Sequence, residues 1–182
     1  MSNNNIQGDT EVKTTELFPE VNENGEVIGS MTRKEAHSGT KRLHAVVHLH
    51  VFNSKGELYL QQRAAWKDIQ PNKWDTACGG HIDYGEPVEV ALGREVSEEI
   101  GIAEGSYKPE LLMRYIYESE MEREMVYVFS TTYDGPVHPS ETELSGGRFW
   151  SLDEIRENIG NEVFTPMFEQ EILLILNDYP LG

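Results

Sequence analysis

Residues 79–102 read Gly79-Gly80-His81-Ile82-Asp83-Tyr84-Gly85-Glu86-Pro87-Val88-Glu89-Val90-Ala91-Leu92-Gly93-Arg94-Glu95-Val96-Ser97-Glu98-Glu99-Ile100-Gly101-Ile102. Pro87 suits the first turn of a helix, where its missing N–H costs nothing. Gly101 suits the left-handed exit at the other end. Between them Val88, Leu92, Val96 and Ile100 recur every fourth residue, an apolar helical stripe. With Leu92 at the centre of the stripe, Glu99 falls roughly 20° away, Glu95 roughly 60° and Glu98 roughly 120°. A charged surface helix is the ordinary alternative, but a solvated helix would not put Glu99 where a core residue belongs. Buried carboxylates need compensation. The spacing brings Glu95, Glu98 and Glu99 within reach of one ion, and hard oxygen ligands favour Mg²⁺ or Mn²⁺.

The same stretch resembles the Nudix box: Gly80, five residues, Glu86, seven residues, then Arg94-Glu95, Glu98-Glu99 and Gly101. The resemblance implies an α/β fold, a mixed β-sheet sandwiched between helices. It also implies an enzyme that hydrolyses a diphosphate linked to another group. Glu95, Glu98 and Glu99 would hold the metal, helped by a backbone carbonyl near Gly79 or Gly80, and Arg94 would orient the glutamates. The general base varies within this family. A box glutamate could serve, and Glu141 and Glu143 are loop candidates.

Composition narrows the partners. Of 182 residues 38% are hydrophobic, enough for a core, and the net charge of −17 disfavours nucleic acid and anionic membranes. A small phosphate substrate would need local basic residues and metal to reverse the field. A single cysteine excludes an internal disulfide. Nothing near the N-terminus has a signal-peptide core, so a cytoplasmic protein is expected. Residues 1–15 are polar and Asn-rich and read as a disordered tail; residues 16–182 read as one domain. A hairpin is expected around Asn22–Gly25, then strands over 43–53, 57–63, 75–77, 110–118, 124–133 and 147–150. Helices are expected over 153–158 and 164–177, besides the box helix.

Outside the box, residues from about Leu17 to Met167 resemble type I isopentenyl-diphosphate isomerase, itself of Nudix fold. His37, His44, His81, Glu122 and Glu124 match that family's metal-site pattern. Imidazoles plus carboxylates suit a second divalent ion such as Mn²⁺ or Zn²⁺, although His48 and His50 on the same strand show that histidine is plentiful here. Arg33, Arg63 and Lys67 match its diphosphate contacts; Arg33 stands where the family carries Lys. Two departures count against isomerisation. The family's cysteine immediately before the Gly/Ser-His pair is Gly79 here, and Cys78 lies one residue early, which on a strand means the opposite face. The tryptophan after the family's Ser/Thr-Pro is Met167. A metal-dependent hydrolase is therefore expected, with an isomerase or a non-catalytic diphosphate-binding module as alternatives.

Overall fold

The computed structural model describes residues 16–67 and 69–178; the expected tail over residues 1–15 lies outside them. Leu43–Phe52 form β3, with all ten residues buried. Both faces of β3 are covered, as expected of a strand at the centre of a layered fold. Leu43, Ala45, Val47, Leu49 and Val51 point one way, toward Leu92, Val96 and Ile100 of the box helix. His44, Val46, His48 and His50 alternate to the other face.

The flanking strands are β1 (Leu17–Val21), β2 (Val27–Thr32), β4 (Leu58–Arg63), β5 (Trp74–Asp75), β6 (Cys78–His81), β7 (Glu110–Glu118), β8 (Arg123–Thr132) and β9 (Leu144–Trp150). Along one edge β3 pairs in parallel with the whole of β8, and β8 pairs with β7. Three strands share the other edge: β1 with Glu20 opposite His44, β6 with Cys78–His81 opposite Leu49–Val46, and β4 with Leu58 opposite Phe52. This sharing curls the nine-stranded mixed sheet. The helices are α1 (Arg33–Ala36), α2 (Val88–Glu95), α3 (Leu152–Asn158) and α4 (Pro166–Asp178). Helix α4 lays Phe168 and Ile172 against Leu58, Leu60 and Trp150, and Ile175 against Val46, Val126 and Val128. The α/β class and the Nudix-type mixed sheet expected from the sequence are thus the observed architecture. Among the described residues no helix is long and apolar enough to cross a membrane.

The structure differs from the sequence expectation in several details, among them β9, which begins at Leu144 and not at Gly147. The single strand expected at 75–77 is two: Trp74–Asp75 pairs with β4, and Cys78–His81 pairs with β3. Gly79 and Gly80 carry no β-branched signal, yet they are needed for close approach. A Cβ on Gly79 would lie 2.6 Å from His48 Cδ2, and one on Gly80 2.1 Å from Glu95 Cδ. The box helix is α-helical only to Glu95; Val96–Ile100 form a π-helical turn before Gly101 exits at φ +62°. Pro87 is the residue before the first helical one, so its fixed φ sets the entry.

Packing predicts a graded pair of substitutions. Phe168→Ala empties a fully buried site and should cost about 3–5 kcal/mol. Ser151→Ala removes the α3 capping box and should cost only ~1 kcal/mol. Urea unfolding monitored by circular dichroism measures both; equal losses would contradict this partition of the core.

Candidate active site

The box glutamates face the underside of β6. Glu95 lies against Gly80, with only an eighth of its side chain exposed at 13%. Glu99 Oε2 accepts the Gly79 N–H at 3.1 Å and lies 3.4 Å from Gln61 Nε2. Glu98 is turned outward and its side chain is 63% exposed, 3.8 Å from Arg94. Burial pushes the Glu99 carboxyl up to about 7; the Gly79 N–H opposes this and Glu95 adds to it. Burial also raises Glu95, against the pull of Arg94. These are carboxylates short of positive charge.

Arg94 is the clamp of the site. Its Nε and Nη2 donate to both oxygens of Glu86 at 3.0 and 2.9 Å, Nη2 also to the His81 carbonyl at 3.0 Å, and Nη1 to Glu95. Glu86 in turn accepts the Asp83 N–H at 3.0 Å. One planar guanidinium thus ties the turn, β6 and the helix together, a geometry lysine cannot reproduce. The carbonyls at the helix end are satisfied by the loop after β8: Ser140 N–H donates to Glu99 O at 2.8 Å and His138 N–H to Ile100 O at 2.9 Å.

On the opposite face of β6, His37, His44, His81, Glu122 and Glu124 converge although they are scattered in sequence. Donor atoms of His37, His44 and His81 lie within 4.8 Å of one another, as do those of His44, Glu122 and Glu124. His37 Nε2 is 3.1 Å from Glu122 and 3.2 Å from His81 Nε2. Phe18 stacks on His81 with centroids 4.2 Å apart. His44 Nε2 is buried without a hydrogen-bond partner, and its 3.6 Å separation from Glu124 is too long for one. An orphaned imidazole nitrogen among two carboxylates fits a divalent ion. Burial, with the neighbouring His44 and His37, drives His81 down to about 2, which keeps it neutral as a ligand must be. Burial beside Glu124 raises Glu122 to about 7.

The expected cations and bases are placed less simply. Lys67 Nζ reaches Glu143 at 2.7 Å, so one expected phosphate contact and one expected base are each other's partner. Arg63 donates to the Ile69 carbonyl at 3.0 and 3.2 Å and holds its own loop. Arg33 lies at the surface 3.4 Å from Glu16. Glu141 borders an open cleft of about 510 Å³ with His138, Leu144 and Gly146. Cys78 faces the box helix and is wholly buried, its thiol pushed well up by burial and by Glu99. On the other face, the place of a Gly79 side chain is filled by the His48 ring. Sequence reading left His48 and His50 without a role. Glu171 of α4 binds both, at 2.9 Å from His48 Nδ1 and through its other oxygen to His50 Nε2. The available signal was Glu171 itself, at helical spacing from Phe168 and Ile175 on a buried face.

Comparison with known proteins agrees with this architecture. The NUDIX domain pattern matches residues 41–168. The chain is 31% identical over 166 residues to the isopentenyl-diphosphate Delta-isomerase 1 of Photorhabdus laumondii, covering 87% of this chain and 94% of that protein. It is 32% identical over 168 residues to an uncharacterized Nudix hydrolase of Pseudomonas aeruginosa, covering 89% and 94%. A Deinococcus radiodurans protein solved at 1.9 Å has the same fold, with TM-score 0.75, 24% identity and coverage of 87% of this chain and 98% of that one. A MutT protein from Methanosarcina mazei superposes with TM-score 0.65 at 23% identity, covering 78% and 98%. This chain belongs to the Nudix family.

The raised glutamates have a pH signature. Glu99 titrates near 4.5 unfolded and about 7 folded, so the folded state holds the extra proton and stability falls as pH rises through that window. In EDTA this group should cost the wild type several degrees of melting temperature from about pH 5 to 7, on the order expected of a few kcal/mol, and little more above that. Glu99→Gln should show a shallower decline and melt higher than wild type at the upper pH. His48 and Glu122 contribute alike to both proteins and cancel. Parallel curves in thermal scans would mean that Glu99 is not held in a desolvated site.

Proposed function

We propose that this protein is a metal-dependent Nudix hydrolase that cleaves the diphosphate linkage of an organic diphosphate, of nucleoside-diphosphate or other type. The observation that carries the reading is the desolvated Glu95–Glu99 pair, Glu95 pressed against Gly80 and held by Arg94, Glu99 held by the Gly79 N–H. A structural helix gains nothing from two buried carboxylates of which only Glu95 meets an arginine. They fit a Mg²⁺ or Mn²⁺ ion held by Glu95, Glu98 and Glu99 with a backbone carbonyl of Gly79 or Gly80. Bound there, such an ion offsets diphosphate charge and acidifies water. Arg94 and Glu86 keep the carboxylates in place, and the Gly79 N–H holds Glu99 at the strand. His37, His44, His81, Glu122 and Glu124 suit a second ion, Mn²⁺ or Zn²⁺. Arg33, at the start of α1, is exposed four residues before His37; Arg63 and Lys67 would have to leave their present partners to meet phosphate. Glu141, free at the rim of its cleft, is a better base candidate than the engaged Glu143. Residues 16–182 would act as one domain in the cytoplasm.

The second reading is the isomerase, favoured by the His/Glu cluster and by relatives of that name. Against it stand Gly79, with no room for a side chain beside His48, and a buried Cys78 on the wrong face. A non-catalytic binding module would leave the Glu95–Glu99 pair without purpose.

A panel of organic diphosphates with Mg²⁺ or Mn²⁺, products identified by mass, tests the reading. At least one should be hydrolysed, and isopentenyl diphosphate should not be isomerised at a useful rate. Glu98→Gln and Glu99→Gln should each lower turnover on the order of 10²-fold or more while the protein stays folded. Folded variants with wild-type turnover would move the chemistry away from the box. Isomerisation that persists in Cys78→Ala would favour the second reading.

A further inference from the structure

We propose that Gln61 is a positioning residue for the box metal: its side-chain amide, together with the Gly79 N–H, holds one oxygen of Glu99 so that the other is left to face the ion. This rests on the reading of Glu95, Glu98 and Glu99 as the metal ligands. Glu99 Oε2 takes two donors, the Gly79 N–H at 3.1 Å and Gln61 Nε2 at 3.4 Å. No other N–H or O–H of the described residues donates to this carboxylate. A carboxylate oxygen has two lone-pair directions, so Oε2 is engaged on both and Oε1 keeps its own for a cation. The groups that hold a ligating carboxylate set its orientation and with it the affinity for the ion.

Packing alone does not explain an amide at this place. Gln61 is only 5% exposed, and its Oε1 is buried without a hydrogen-bond partner. A buried acceptor left without a donor is costly, and an apolar side chain of the same length would fill the space without that cost. The one hydrogen bond the amide makes among the described residues is to Glu99. Its orientation follows from charge, because the rotated amide would set Oε1 against the carboxylate. The strand holds the amide in place: Gln61 lies opposite Asp75 of β5 on one side and Gly147 of β9 on the other. Tyr59, on the same face of β4, fills the place of a Gly147 side chain, so the space across β9 is closed and the amide stays beside Glu99. A group on a strand paired along both edges is held more precisely than one on a loop. At 3.4 Å the bond is long and adds little to folding stability. What it fixes is the direction of Oε1.

Gln61→Met keeps length and bulk and removes both the donor and the stranded oxygen. Titration with Mn²⁺, the free ion followed by electron paramagnetic resonance, measures binding without turnover. The class of sites that Glu99→Gln removes is the box, which separates it from the His/Glu cluster. In Gln61→Met that class should persist but bind about tenfold to a hundredfold more weakly. The urea midpoint in EDTA should meanwhile stay at or above that of wild type, since an unsatisfied acceptor is gone. A residue that only packs would do the reverse, lowering stability and leaving the affinity of the folded protein unchanged. With a hydrolysed substrate, the Mg²⁺ concentration for half-maximal rate should rise by a similar factor, and much of kcat should return at saturating Mg²⁺. Gln61→Leu, a shorter apolar variant, should weaken the box class in the same direction. Unchanged affinity of that class in folded Gln61→Met overturns the role of Gln61 and leaves the hydrolase reading standing. A large loss of stability in both variants marks the amide as structural and overturns it too. If wild type has no Mn²⁺ class that Glu99→Gln removes, the box metal and the hydrolase reading fall, and this proposal with them.

Discussion

The structure depends on a strand with almost no side chains. Cys78–His81 lies between a carboxylate pair on one side and a row of imidazoles on the other, and the two glycines at its centre let both approach. Glu95 presses where a Gly80 Cβ would be, and His48 where a Gly79 Cβ would be. Any larger residue would push one group away. The backbone of β6 is also a participant, since the Gly79 N–H holds Glu99 and the His81 carbonyl holds Arg94.

That arrangement keeps two acid-rich centres apart. Strand alternation puts Gly80 on the box-helix side and His81 on the other, so the box carboxylates and the His/Glu cluster do not share ligands. Each centre is desolvated and short of positive charge: Glu99 on one face and Glu122 on the other are both held up near 7. The fold tolerates this because β3, β6 and β8 are locked by continuous pairing, and because Arg94 neutralises one centre in part. A third charged group, His48 with Glu171, is different in kind. It is internally balanced, so it contributes no strain of like charge.

The relationship to isomerases can be put in the same terms. In this chain the thiol is turned into the apolar layer against the box helix, and an imidazole edge fills the place where a side chain at residue 79 would stand.

Much of this was legible in the sequence. The box pattern located the helix, Gly101 located its exit, and the recurrence of Val88, Leu92, Val96 and Ile100 placed Glu99 on the buried side; the fold class followed from that resemblance. Alternation over residues 43–53 identified a strand, and pairing on both sides made it the central one. These are local regularities, written in neighbouring residues. Other features were not local. The π-turn at Val96–Ile100 has no compositional mark, and Gly79-Gly80 reads as a break although close packing makes it a strand. The pairing of Lys67 with Glu143, and of Glu171 with histidines more than a hundred residues away, depends on which loop and which helix cross the sheet. Sequence determined which side chains share a face; only the tertiary structure decided which faces meet, because partners distant along the chain are chosen by packing and burial rather than by spacing.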